Sequence, residues 1–121
     1  MKDQQSLVNG IDQNINCRIK TLELKHTIQE ELVIIRETID DIDQQIIDLL
    51  INRSNCVEKI AQYKCTHQLP IYDGVREGKI LDKVTSENPT NYQSVDMANI
   101  FNAIIRAGLN QQLLYRAEHK D

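Results

Sequence analysis

At 121 residues the chain has the length of about one domain. Its 40% hydrophobic and 26% charged residues are ordinary for a globular protein, and four Gly, two Pro, one Phe and no Trp leave a mostly aliphatic core suited to helix-on-helix packing. The formal net charge of -4 speaks against a nucleic-acid binder, and three cysteines (Cys17, Cys56, Cys65) without a C-x-x-C pair speak against a disulfide framework or a zinc site.

The opening segment has no apolar run of signal-peptide length, and no stretch reaches membrane-spanning length, so a cytoplasmic protein is expected. Leu7, Ile11, Ile15, Ile19 and Leu22 recur at helical spacing behind a candidate cap at Ser6. Gly10 weakens the first turn of that stripe. Lys25 and His26 blur its far end, leaving open whether the segment breaks there or runs on. Residues 27–66 form a strong helical pattern, with Ile35, Ile39, Ile42, Ile46, Leu49, Leu50, Val57 and Ile60 on one broad face. At roughly 40 residues this helix is long for a globular protein and needs partner helices from this chain or another. A connector with Pro70 follows. Asp73 then caps a short helix ending near Ser86, which Asn88-Pro89 stops. A third helix begins near 91–94 and carries Met97, Ile100, Phe101, Ile104, Ile105, Leu109 and Leu113; from Arg116 on the chain is polar and is expected to fray. The implied division is a helical extension over 1–26, an all-α three-helix domain over 27–117, and a polar tail over 118–121.

Polar residues that interrupt the apolar stripes are the informative ones. Ile46, Leu50, Arg53, Val57, Ile60 and Lys64 share a face, so two cations stand in a stripe that otherwise reads as buried. Buried charge needs a partner. Either an anionic ligand meets these cations, or they snorkel at a helix edge, or they pair with carboxylates of other helices. Glu77 lies on the core side of the second helix with Ile80, Leu81 and Val84; as a first-turn carboxylate it also suits the helix dipole. Phe101, Ile105, Gly108 and Gln112 follow one face of the third helix. Gly108 permits close approach of a neighbour or ligand, and Gln112 offers a neutral donor or an interhelical hydrogen bond. Arg36 precedes Arg53 by 17 residues, about 25 Å along a continuous helix, too far for one small ligand. If both serve one site, Arg36 comes from a second copy. Arg53 and Lys64 are about 16 Å apart on the same geometry, close enough for long side chains to grip opposite ends of a small molecule.

The stretch IIRETIDDIDQQIIDLLINRSNCVEKIAQYK, followed by PIYDGVRE and IFNAIIRAGLNQQ, resembles the all-helical chorismate mutase family over about residues 30–115. An arginine opens the domain's first helix, a second follows 17 positions on, and a lysine comes 11 after that. Then come D-x-x-R-E and a late glutamine. The resemblance implies an intertwined homodimer of three-helix chains with two sites. It implies that Arg36 of the second copy and Arg53 bind two carboxylates of chorismate, and that Lys64 and Gln112 hydrogen-bond the ether oxygen. Glu77 would accept from the ring hydroxyl, with the backbone near Asp73 close by, and Arg76 would support the site. One position departs from the family: a serine commonly found four residues before the glutamine is here Gly108, so one substrate contact is lost or passes to water.

The reaction so implied is a pericyclic rearrangement of chorismate to prephenate in aromatic amino acid biosynthesis, with no cofactor and no metal. His26, His67 and His119 are scattered and read as surface residues. Two other readings stand beside the mutase. An isochorismate pyruvate lyase on the same scaffold would use similar cations. A non-catalytic regulatory helical dimer would use the long N-terminal stripe as an interaction arm. Neither a nucleic acid nor a membrane is expected as a partner.

Overall fold

The computed structural model describes the backbone of residues 10–120 and the side chains from Arg18 to Lys120. The expected cap at Ser6, Leu7 and the side chains of Ile11 and Ile15 therefore lie outside the described residues. Those residues form three helices and no strand: α1 over Gly10–Thr66, α2 over Gly74–Ser86 and α3 over Ser94–Glu118. The question left open at Lys25 and His26 resolves as continuous helix, consistent with the absence of Gly and Pro from 11 to 66. No helix among the described residues is long and apolar enough to cross a membrane.

The chain divides into two units, one ending at Ile47 and one beginning at Asp48. In the first, Ile28, Leu32, Ile35, Ile39, Ile42 and Ile46 alternate steps of four and three, the spacing of a helix-pairing seam. Each of them is 42–54% exposed.

The second unit holds the end of α1 together with α2 and α3. Its core is small and aliphatic: Val57, Ala61, Ile71 and Ile105 are buried. Proline does not end α1. Gln68 takes a left-handed conformation (φ 56°), Gln68 N–H donates to Cys65 O at 3.3 Å, and Leu69 N–H donates to Lys64 O at 2.8 Å. These bonds are those of a Schellman motif, with glutamine where glycine is usual. Asp73 caps α2 as expected, its side chain accepting from Arg76 N–H at 3.0 Å. Between α2 and α3, Asn88 closes a self-bonded turn: its Oδ1 accepts from Thr90 N–H at 2.9 Å and its Nδ2 donates to Tyr92 O at 2.8 Å.

The fraying expected from Arg116 onward does not begin there. α3 continues to Glu118, and Arg116 donates from Nη2 to Lys64 O at 3.0 Å and to Leu69 O at 2.7 Å. Sequence periodicity misses this because the residue packs through its polar tip and leaves no apolar signature.

Candidate active site

α2 and the end of α1 both face α3, and a cleft of about 270 Å³ opens among them. It lies wholly within the second unit. Seven of the eight residues singled out in the sequence line it: Arg53, Lys64, Asp73, Arg76, Glu77, Gly108 and Gln112. Ile60, Ile71, Ile80 and Ile105 supply apolar wall. The eighth, Arg36, belongs to the first unit and its side chain is exposed.

Lys64 is the best-anchored polar group. Its Nζ donates to Ile71 O at 2.8 Å and to Gln112 Oε1 at 3.1 Å. An ammonium has three N–H donors and no acceptor. Lys64 therefore keeps one donor free. The same chemistry fixes the Gln112 amide: its oxygen must face the lysine, so its Nε2 is the donor left over. Two N–H donors from α1 and α3 thus stand side by side, held before any ligand arrives.

Arg53 is held by shape instead. A Cβ on Gly108 would lie 3.2 Å from Arg53 Nη1 and 3.6 Å from Val57 Cγ2, so the missing side chain of this buried glycine makes room for the guanidinium against α3. On its other side Arg53 lines a second, apolar groove of about 360 Å³ with Leu50, Ala103, Ile104 and Ala107.

Arg53, Lys64 and Arg76 form no ion pair among the described residues. Glu77 does: its Oε1 accepts from Arg106 Nη2 at 2.6 Å, with the Glu77 side chain 14% exposed. Three cleft cations, Arg53 and Lys64 half-buried and Arg76 exposed, thus stand without a carboxylate at ion-pair distance, an arrangement that suits an anion. The alternative of pairing with carboxylates of other helices is not what Arg53 and Lys64 do.

Two residues go unnoticed in the sequence, Arg106 and Arg116. For Arg106 a signal exists. Glu77 on a core-facing side needs a cation, and these are the only two cations that α3 carries. His26, His67 and His119 are exposed, as read from their scatter.

Residues 35–113 match the family described as Chorismate mutase type II. The bifunctional chorismate mutase/prephenate dehydratase of Aquifex aeolicus (strain VF5) is 34% identical over 85 residues, and that of Buchnera aphidicola subsp. Acyrthosiphon pisum (strain APS) is 37% identical over 82. Each alignment covers 67% of this chain but only 24% and 21% of the relative, so the chain spans under a quarter of the length of these curated proteins. A chorismate mutase structure (form II) from Thermus thermophilus superposes with a TM-score of 0.66 at 27% identity, covering 75% of this chain and 98% of that one. The resemblance read from the three sequence stretches is thus met by family, relatives and fold together: the chain belongs to the chorismate mutase type II family.

Proposed function

We propose that the chain is a chorismate mutase, rearranging chorismate to prephenate in aromatic amino acid biosynthesis, and that it works as a homodimer in a cytoplasmic setting. The observation that carries this reading is the Lys64–Gln112 pair: two fixed, free N–H donors beside an unpaired arginine in a cleft lined by apolar side chains.

In the rearrangement one C–O bond breaks as one C–C bond forms within the same molecule, so no group enters or leaves. The site has only to fold the substrate and meet charge as it shifts. Arg53 would take one carboxylate in a two-pronged guanidinium contact, and Arg36 of a second copy the other. Fixing both ends brings the reacting carbons together and removes much of the orientational cost. Negative charge grows on the ether oxygen as its bond to the ring breaks. The free donors of Lys64 and Gln112 would meet that charge, and losing one such preorganised donor costs about 3–4 kcal/mol of transition-state stabilisation. Lys64 is oriented by Ile71 O, so it has no reorganisation to make at that moment. Glu77 would accept from the ring hydroxyl through the oxygen that Arg106 leaves free, with Arg76 and the start of α2 closing that end.

The dimer reading is supported by the uncovered seam from Ile28 to Ile46 and by the apolar groove beside Arg53. Apolar surface of that extent calls for a partner, and a second copy offers the same seam. Residues 10–26 continue α1 ahead of the family match, and we assign them to a helical extension of the domain.

The test is purified protein with chorismate, following substrate loss and identifying the product, with isochorismate in parallel. Prephenate at an enzymatic rate supports the reading. Pyruvate and salicylate from isochorismate alone would move the protein to the lyase. Turnover of neither substrate would favour a regulatory dimer.

A further inference from the structure

The Arg106–Glu77 contact is short, joins α3 to α2, and lies at the edge of the cleft: Glu77 lines it and Arg106 does not. Only Oε1 of Glu77 is engaged, at 2.6 Å, and the arginine is 46% exposed behind it. With the guanidinium half exposed, solvent screens the pair and limits what it adds to stability, although the Glu77 side chain itself is mostly buried. The pair's place in the cleft matters more. The cleft carries the cations Arg53, Lys64 and Arg76 against the carboxylates Asp73 and Glu77. A substrate with two carboxylates must enter beside Glu77, and an uncompensated carboxylate there would repel it.

We propose that Arg106 is a positioning residue for Glu77. It holds one carboxylate oxygen and offsets its charge, so that the other oxygen accepts the ring hydroxyl of a dianionic substrate without opposing its entry. The assignment rests on the chorismate mutase reading and deepens it. The ordinary alternative is a helix-to-helix tie, in which Arg106 would affect unfolding and leave turnover alone.

A double-mutant cycle on kcat/KM for chorismate separates these, with thermal unfolding measured on every variant. Arg106→Gln is expected to lower kcat/KM about tenfold, the scale of one charge-assisted hydrogen bond. Most of the loss should appear in KM, because charge opposing entry acts on binding. Arg106→Lys should recover most of it, since an ammonium restores the charge. In a Glu77→Gln background, adding Arg106→Gln should cost less than about twofold, because a residue acting through Glu77 has nothing left to act on. An active wild type with an Arg106→Gln variant of equal kcat/KM overturns the assignment alone. So does a full tenfold loss in the Glu77→Gln background. A wild type that leaves chorismate unchanged overturns the parent reading instead.

Discussion

Replacing Gly108 by alanine places a Cβ 3.2 Å from Arg53 Nη1 and 3.6 Å from Val57 Cγ2. The second distance is ordinary contact. The first is too close by a few tenths of an ångström, but the atom met is the far end of a long, flexible side chain. Arg53 therefore gives way and the backbone does not. Alanine in a helix interior is favoured over glycine by roughly 1 kcal/mol, so the variant should be more stable by about 0.5–1 kcal/mol once a small repacking cost is taken off. Binding should suffer in the opposite direction. A hydrogen bond to a charged group is worth about 1.5–3 kcal/mol, and losing part of it raises KM for chorismate by about threefold to tenfold. Urea unfolding at fixed protein concentration and steady-state kinetics on the same preparation read both quantities. Serine adds the same Cβ with a hydroxyl, and a KM below that of alanine would show the hydroxyl replacing the lost contact. Lower stability with an unchanged KM would refute the reasoning, because it would mean that the new methyl strikes backbone and that Arg53 is not seated over Gly108.

Three further outcomes are expected. Lys64→Ala should cut kcat by at least about a hundredfold, the scale of one preorganised donor, while circular dichroism stays helical; near-normal turnover would remove the proposed mechanism. Arg36→Ala and Arg53→Ala, each inactive alone, should regain about a quarter of wild-type activity when mixed and exchanged, since half the dimers are mixed and each of those has one intact site of two; no recovery after demonstrated exchange counts against a shared site. Gln68→Gly should raise stability by about 1 kcal/mol, because the left-handed backbone at φ 56° costs glutamine what it does not cost glycine; a neutral or destabilising result in urea unfolding would show that the side chain itself is needed there.

Much of this site is legible in the chain because its residues interrupt regular patterns. Arg53 and Lys64 stand where an aliphatic is due, and Asp73 precedes a helix start after a proline-containing connector. Lone substitutions in a periodic stripe are visible, and seven of the singled-out positions come together in one cleft. Arg106 and Arg116 interrupt nothing. Their partners are 29 residues away for Arg106 and 52 and 47 away for Arg116. Which polar group meets which is set by how helices dock, and no local spacing encodes that. The end of α1 at Thr66 is legible, but the device that makes it is not, for a different reason. Pro70 draws the eye in the connector, whereas the turn is made two residues earlier by Gln68, a residue type with no preference for left-handed backbone. Asn88-Pro89 is legible because both residues have local turn chemistry.

Lys64 is gripped at both its backbone and its side chain by the segment that follows it. Its carbonyl accepts from Leu69 N–H and from Arg116, while its ammonium donates to Ile71 O. Surface connectors usually absorb insertions and deletions with little penalty, because lengthening a loop costs only a slowly growing entropy. The stretch from His67 to Tyr72 is an exception by construction. One residue added or removed shifts Leu69 and Ile71 out of register with the lysine they fix, and the error reaches its free donor directly. The turn from Glu87 to Gln93 has no such tie to the cleft. Sequence drift in length should therefore be free in the second connector and arrested in the first, so that a mostly exposed loop behaves in evolution like an active-site residue.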